Sequence, residues 1–227
     1  MMTPQCGSQM RRELRRFLAV VLFAGCPVFA DIINVVTDQP SLGANDSINW
    51  GQLPPPITFL RTPQSVTSDL GLGATITTPS GAFYTDQQGD PWKGNFSAGD
   101  LLIGTGQFDA TPAGSISVTF ATPVSAVGAQ MGYNVITSKP FPFAAGIRVY
   151  DSANNLMATF TLPGVMDNTA DNSAVFIGVK DSTGPNIARV EFFTTTTTGP
   201  FPGSFAINQL RLLDSPPELP KRSSLGS

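Results

Sequence analysis

The sequence predicts an all-β chain, a jelly-roll-like antiparallel β-sandwich behind an N-terminal signal peptide. Three observations carry that expectation. The 227 residues include 22 glycines and 20 prolines, and only 13% of them are charged. Such a mixture is poor in helix formers and rich in turn residues. From Ser115 onward, apolar and polar residues alternate with a period of two. Clusters of Gly, Pro, Asn and Asp separate the alternating runs at short intervals, as in sandwiches and jelly rolls.

The first thirty residues read as an export signal. Arg11, Arg12, Arg15 and Arg16 form a basic flank, Phe17 to Gly25 an apolar run, and Ala30 a small-residue exit before Asp31. That order is the pattern of a secretory signal peptide. The run is too short to be a membrane-spanning helix, which needs about 20 residues, so no transmembrane span is expected. Phe23-Ala-Gly-Cys26 resembles a lipobox. The alternative to free secretion to the periplasm or exterior is therefore a lipoprotein anchored through Cys26.

Cleavage after Ala30 removes four arginines and Glu13. From 13 basic and 16 acidic residues it leaves 9 against 15. An acidic chain is unsuited to nucleic acid, whose phosphates require clustered cations. Both cysteines, Cys6 and Cys26, leave with the signal. The mature chain must then be held by its core rather than by disulfides.

Residues 31–214 are expected to form one sandwich domain. Short strands are expected at Ile32–Val36, Ala74–Thr78 and Asp100–Ile103, among proline- and glycine-rich stretches such as Leu53-Pro-Pro-Pro56. Ile116, Val118 and Phe120 share one face of a strand, and Val127, Ala129, Met131 and Tyr133 one face of the next. Ile147 and Val149 point inward with Arg148 and Tyr150 outward. A polar turn follows at Asp151–Asn155, and Leu156, Ala158, Phe160 and Leu162 alternate again, so 146–162 reads as a β-hairpin. Val175, Ile177 and Val179 mark a further strand, and Ala188, Val190 and Phe192 another. In the last run, Phe205 and Ile207 differ in parity from Leu210 and Leu212. That slip at Asn208-Gln209 predicts a bulge or bend. Residues 215–227 read as a disordered polar tail.

Several segments in order resemble secreted bacterial β-sandwich proteins of the PEP-CTERM type. They are Gly94-Asn-Phe-Ser-Ala-Gly-Asp-Leu-Leu102, Ile116-Ser-Val-Thr-Phe-Ala-Thr-Pro-Val-Ser-Ala-Val-Gly-Ala-Gln130, Val149-Tyr-Asp-Ser-Ala-Asn-Asn-Leu156, Asp171-Asn-Ser-Ala-Val-Phe-Ile-Gly-Val179 and Phe205-Ala-Ile-Asn-Gln-Leu210. The resemblance implies export and an extracellular sandwich. It supplies no catalytic residues. Members of that type end in a Pro-Glu-Pro element, an apolar helix and a basic tip. Here Pro216-Pro-Glu-Leu-Pro-Lys-Arg222 has no apolar helix after it, so anchoring by this tail is not expected.

The absence of histidine removes Ser-His and Cys-His catalysis and every histidine-ligated metal. Neither a Gly-x-Ser-x-Gly elbow nor a Ser-x-x-Lys sequence occurs. The remaining common route is a pair of carboxylates, as in glycoside hydrolases. Its candidates are Asp86, Asp90, Asp100, Asp151, Asp167, Asp171 and Glu191. Structural calcium is the expected ion, with Asp167, Asp171 and Asn172 of the oxygen-rich run Asp167–Ser173 as candidate ligands. That run lacks the EF-hand spacing. A loop whose side chains bond its own backbone is the plainer reading. Trp50, Tyr84 and Trp92 lie in loop-like sequence and are the candidate platforms for stacking sugar rings. The expected function is a non-catalytic exported binding or cell-surface and matrix module with polysaccharide as its first ligand class. The alternatives are a carboxylate-based glycoside hydrolase and a purely structural surface protein.

Overall fold

The computed structural model describes residues 32–89, 92–106, 113–133, 140–196 and 202–214. They belong to a compact unit that begins at Asp31. The segment expected to be an export signal, Cys26, Asp90 and the residues from 215 lie outside the described residues. None of the described helices is long and apolar enough to cross a membrane.

The fold is an antiparallel β-sandwich. Early strands are short: β1 (Ile33–Val36), β2 (Asp46–Ile48), β3 (Thr58–Arg61), β4 (Gln64–Thr67), β5 (Gly73–Thr77), β6 (Ala82–Gln87) and β7 (Leu101–Thr105). A single helical turn, α1 (Gln39–Leu42), follows β1. The later strands are mostly longer: β8 (Ile116–Val124), β9 (Ala126–Tyr133), β10 (Phe141–Tyr150), β11 (Leu156–Met166), β12 (Val175–Asp181), β13 (Ile187–Thr194), β14 (Phe205–Ile207) and β15 (Leu210–Leu213). One sheet runs β1-β12-β9-β14-β7-β6-β3, with β15 joining β2 to β9. The other runs β11-β10-β13-β8-β5-β4. The chain changes sheets repeatedly between β7 and β14, and this knits the two layers around one core.

The alternating runs become strands as expected. Ile116, Val118, Ile147, Val149, Ile177, Val179, Val190 and Phe192 are all buried between the sheets. The hairpin forms with Tyr150 opposite Leu156 and Ile147 opposite Phe160. Its turn holds Asn154 at a φ of 63°, a left-handed conformation that asparagine tolerates. The parity slip at Asn208-Gln209 separates β14 from β15, and both then line the same edge of β9. Asn208 fills the break. Its Oδ1 accepts from the Gln130 backbone N–H at 3.0 Å and its Nδ2 donates to Gln130 Oε1 at 2.7 Å.

Strand β9 departs from a half-buried pattern, because all eight of its residues are buried. Its outer face is roofed as well. Leu42 of α1, Val36 and Phe176 cover Ala126 in a second, small apolar cluster. Phe96 and Met166 lie over Gly132 so closely that a Cβ there would overlap both.

Glycine recurs where rings cross the sheets. Tyr84 stands directly opposite Gly104, Phe193 opposite Gly146, and Phe143 opposite Gly164. In each pair the ring lies across the glycine, where a Cβ would come within 2.5 Å of it. The missing side chain is thus filled by the partner's ring, in the core for Tyr84 and Phe143 and on the outer face for Phe193, which lies under Arg148, and the sheets reach close packing there.

Adding that methyl group is therefore expected to be costly. Gly104→Ala would drive a Cβ into the Tyr84 ring and to 2.9 Å from the Phe205 carbonyl oxygen. The expected loss is about 1–3 kcal/mol. Gly114→Ala has only Pro79 Cδ at 3.9 Å and should change stability by less than about 0.5 kcal/mol. Urea unfolding midpoints of the two variants check this, and equal midpoints would contradict the packing.

Candidate functional site

The densest polar constellation joins two loops through one side chain. Asn95 lies between β6 and β7 and is only 3% exposed. The other loop, residues 167–174, connects β11 to β12. Its sequence Asp167-Asn-Thr-Ala-Asp-Asn-Ser173 carries an oxygen-bearing side chain at every second position of interest. Asp167 Oδ1 accepts from the backbone N–H of Thr169 at 3.0 Å and from its hydroxyl at 2.6 Å. Asp171 Oδ1 accepts in the same way from Ser173, at 3.1 and 2.5 Å. Ala170 and Asn172 take left-handed φ values of 51° and 65°, and the loop curls.

The curl closes on the Asn95 amide. Its Nδ2 lies 2.8 Å from Asp167 Oδ1, 2.8 Å from Thr169 Oγ1, 3.0 Å from Ser173 Oγ and 3.3 Å from Asp171 Oδ1. Its Oδ1 accepts from the Asp167 backbone N–H at 2.6 Å. Backbone bonds reinforce the junction, from Ala170 N–H to the Gly94 carbonyl at 2.9 Å and from Ala174 N–H to the Asn95 carbonyl at 3.0 Å. The two hydroxyl protons go to the carboxylates, so the hydroxyl lone pairs are left to face the amide protons.

These bonds hold both acids ionised. The Asp171 carboxyl is lowered to about 2, first by the Ser173 hydroxyl and then by the Ser173 backbone N–H. Asp167 is lowered first by the Thr169 hydroxyl and then by Asn95.

Of the candidate calcium ligands, Asp167 and Asp171 come together and Asn172 does not. The Asn172 Oδ1 accepts instead from Gln130 Nε2 at 3.0 Å, because the left-handed turn at Asn172 points it away from the acids. Thr169, Ser173 and above all Asn95 complete the cluster. A calcium ion needs six to eight oxygens at about 2.3–2.6 Å. Here the centre of the oxygens is taken by an amide nitrogen, so a cation would have to displace Asn95 from both of its roles. Among the described residues no group of three acidic, histidine or cysteine side chains could hold a metal ion.

Beside this cluster runs a surface groove of about 710 Å³. One wall is Thr37–Pro40 at the start of α1. The other is built from Gly164 and Val165 of β11 and from residues 172–176, with Gln130, Asn95 and Asp167 between them. Asp38 caps α1 by accepting from the Ser41 backbone N–H at 2.9 Å, and that bond lowers its carboxyl below the usual range. The groove is thus rich in hydrogen-bond acceptors, with apolar ledges at Pro40, Val165 and Val175.

The three candidate stacking platforms are elsewhere. Trp50 is 2% exposed, Tyr84 0% and Trp92 3%, and all three belong to the main core. Tyr84 roofs Gly104, Trp92 packs on Phe96 with centroids 6.4 Å apart, and Trp50 begins a 3-10 turn capped by Asn49. Loop-like sequence concealed them, because large rings in irregular segments are what a sandwich uses to close its ends. None of the three can stack a sugar ring.

The candidate catalytic acids are equally dispersed. Asp86 is buried on β6. Asp100 accepts from Asn208 Nδ2 at 3.2 Å. Asp151 is tied into its own turn by Asn155, whose side-chain hydrogen bond lowers its carboxyl. Glu191 is paired with Arg148. Asp167 and Asp171 do meet, through Asn95, and both are shifted toward the ionised form.

No family model and no curated protein matches the chain. Solved structures that resemble it include the following three, each at low identity and low TM-score. A DUF4465 family protein from Bacteroides caccae is 13% identical, covering 79% of this chain and 99% of its own, with a TM-score of 0.38. A glycoside hydrolase family 43 arabinoxylan arabinofuranohydrolase from Bacillus subtilis, in complex with cellotetraose, is 13% identical. That match covers 62% of this chain and 27% of the enzyme, with a TM-score of 0.33. CsCBM6-3 from Clostridium stercorarium, in complex with cellobiose, is 14% identical, with coverages of 59% and 95% and a TM-score of 0.26.

Two variants test the cluster. Asn95→Ala removes the buried amide whose hydrogen bonds tie the two loops together, and is expected to cost about 0.5–1.5 kcal/mol in chemical unfolding. For Asp171 the folded carboxyl lies below its unfolded value, so its stabilisation is present above the unfolded pKa and lost as pH falls through the folded one. The unfolding midpoint of the native chain should therefore exceed that of Asp171→Asn at neutral pH. The gap should close between pH about 4 and pH about 2. A gap already closed at pH 6 would contradict the cluster.

Proposed function

We propose that this chain is a non-catalytic, exported binding module that takes a hydroxyl-rich polymer, a polysaccharide, in the groove between α1 and the 167–174 loop. The observation that carries the proposal is the chemistry of the groove wall. Asp38 and Asp167 are both held ionised by hydrogen bonds from their own loops. Carboxylates in that state accept protons from sugar hydroxyls in charge-assisted hydrogen bonds, which are stronger than neutral ones. Stacking plays no part in this recognition, because the three loop aromatics are in the core. Export follows from the basic flank, apolar run and small exit residue at Arg11 to Ala30, with lipid attachment at Cys26 as the alternative route to the cell surface.

The same wall disfavours hydrolysis. A glycosidase requires one carboxylic acid that keeps its proton until the leaving group takes it, and such an acid has a raised pKa. Asp38, Asp151, Asp167 and Asp171 are all moved the other way. A structural surface protein without a ligand remains the second reading, and the burial of Trp50, Tyr84 and Trp92 is what favours it.

The test is a glycan array with the chain from Asp31, read with calcium and with a chelator, followed by titration calorimetry on each hit. Binding at this groove should weaken at least tenfold in Val165→Lys, whose side chain enters the groove from an exposed position on β11, with its melting temperature unchanged. Because Asn95 fills the centre of the oxygen cluster, the chelator should change neither binding nor melting temperature. No binding to any glycan would leave the surface-protein reading, and hydrolysis of a bound glycan would restore the enzyme.

A further inference from the structure

The outer face of the six-stranded sheet carries a second ordered constellation, remote in sequence from the groove residues. Arg148 and Tyr150 of β10 stand opposite Glu191 and Arg189 of β13. Arg148 Nη1 donates to Glu191 Oε1 at 2.9 Å, and the Tyr150 hydroxyl donates to Glu191 Oε2 at 3.0 Å. Arg189 Nη1 approaches the same Oε2 at 3.8 Å. Each guanidinium also lies on a ring, Arg148 at 4.1 Å from the Phe193 centroid and Arg189 at 3.5 Å from that of Tyr150. One carboxylate therefore serves two cations, and the cluster keeps a net charge of +1. Asp151, the residue that follows β10, is bonded within its own turn to Asn155.

The two arginines differ in what they leave open. Arg189 is tied down, with Nε and Nη2 both donating to Asn154 Oδ1 at 3.1 and 2.8 Å. Arg148 is bonded through Nη1, and its side chain is 37% exposed. The ring beneath it fixes the plane of the guanidinium, so little rotamer entropy is lost when a partner meets its remaining edge. Hydroxyls flank it. Register aligns Thr159, Arg148, Glu191, Ser117 and Thr77 in one row across five strands. At about 4.8 Å per strand the row spans about 19 Å.

We infer that this face binds an acidic polysaccharide, a polyuronate, with the Arg148 guanidinium meeting a sugar carboxylate and the Thr159 and Thr77 hydroxyls meeting sugar hydroxyls. The planar fork of arginine matches a carboxylate in a bidentate pair. Ser117 is buried and its hydroxyl accepts from Arg189 Nη1 at 3.5 Å, so the hydroxyls left to a ligand are those of Thr159 and Thr77 at the two ends of the row. The excess positive charge, in a chain that is acidic as a whole, supplies the complementarity.

The experiment uses the chain from Asp31 against polygalacturonate, with dextran and dextran sulfate as the neutral and sulfated comparisons, in affinity electrophoresis and calorimetry. Expected are binding to polygalacturonate that weakens with added salt, a loss of at least fivefold in Arg148→Ala, and a partial loss in Arg148→Lys. Glu191→Gln removes the shared negative charge and should tighten binding. A purely structural role for the cluster would make both the arginine and the glutamate variants bind less, in step with their melting temperatures. Equal binding of Arg148→Ala, weaker binding of Glu191→Gln, binding to dextran sulfate alone, or no binding to polygalacturonate would each overturn the inference.

Discussion

A buried amide must find partners, and Asn95 finds its own in a loop more than seventy residues away. Its carbonyl oxygen takes the Asp167 backbone N–H, and its nitrogen faces four oxygens of Asp167, Thr169, Asp171 and Ser173. Without that side chain the two carboxylates would repel each other at the end of β11, and the curl at Ala170 and Asn172 would have nothing to close on. With it, the loop from β11 to β12 is pinned against the loop from β6 to β7. The groove wall at residues 172–176 follows from that pinning.

The pinning continues into the sheet. Asn172 accepts from Gln130, Gln130 accepts from Asn208, and Asn208 occupies the break between β14 and β15. A surface loop, the middle of β9 and the break between β14 and β15 are thus coupled by side-chain amides, with donor and acceptor both used in Gln130 and Asn208. Networks of this kind are costly when half made and rigid when complete. Around them the core closes by apolar means. Rings fill the places of glycines on neighbouring strands, and Leu42 and Phe176 roof the outer side of β9.

Much of this was legible in the sequence, and the reasons differ by element. Period-2 alternation marks β8, β10, β11 and β13 because each has one face in the core and the other toward solvent; in β12 Val175, Ile177 and Val179 carry it although Phe176 on the other face is buried in the small cluster with Leu42. The parity slip marks the break after β14 because a side chain can change face only where the ladder breaks. Strands β2, β3 and β4 left little signal, since three or four residues between prolines and glycines carry no period, and the six residues of β6 left little because its four central ones are all buried. Full burial of β9 left none either, because its second roof comes from α1 and from Phe96. At the site, the acids of 167–171 stand out as an oxygen-rich run, whereas Asn95 does not. Its partners are set by tertiary contact, and nothing local distinguishes it from the other asparagines. Trp50, Tyr84 and Trp92 show the converse error. Irregular sequence around an aromatic suggests exposure, but the ring is what allows the irregular segment to be buried.

The claim on which the groove depends is that an amide, and not a cation, organises the 167–174 loop. Nuclear magnetic resonance of the Asn95 side-chain NH2 tests it most directly in the chain from Asp31. The account expects two separate proton signals, slow to exchange with solvent and unmoved by calcium or a chelator. Signals that exchange rapidly, or that shift together with those of Asp167–Ser173 on addition of calcium, would place an ion where Asn95 stands and would contradict it.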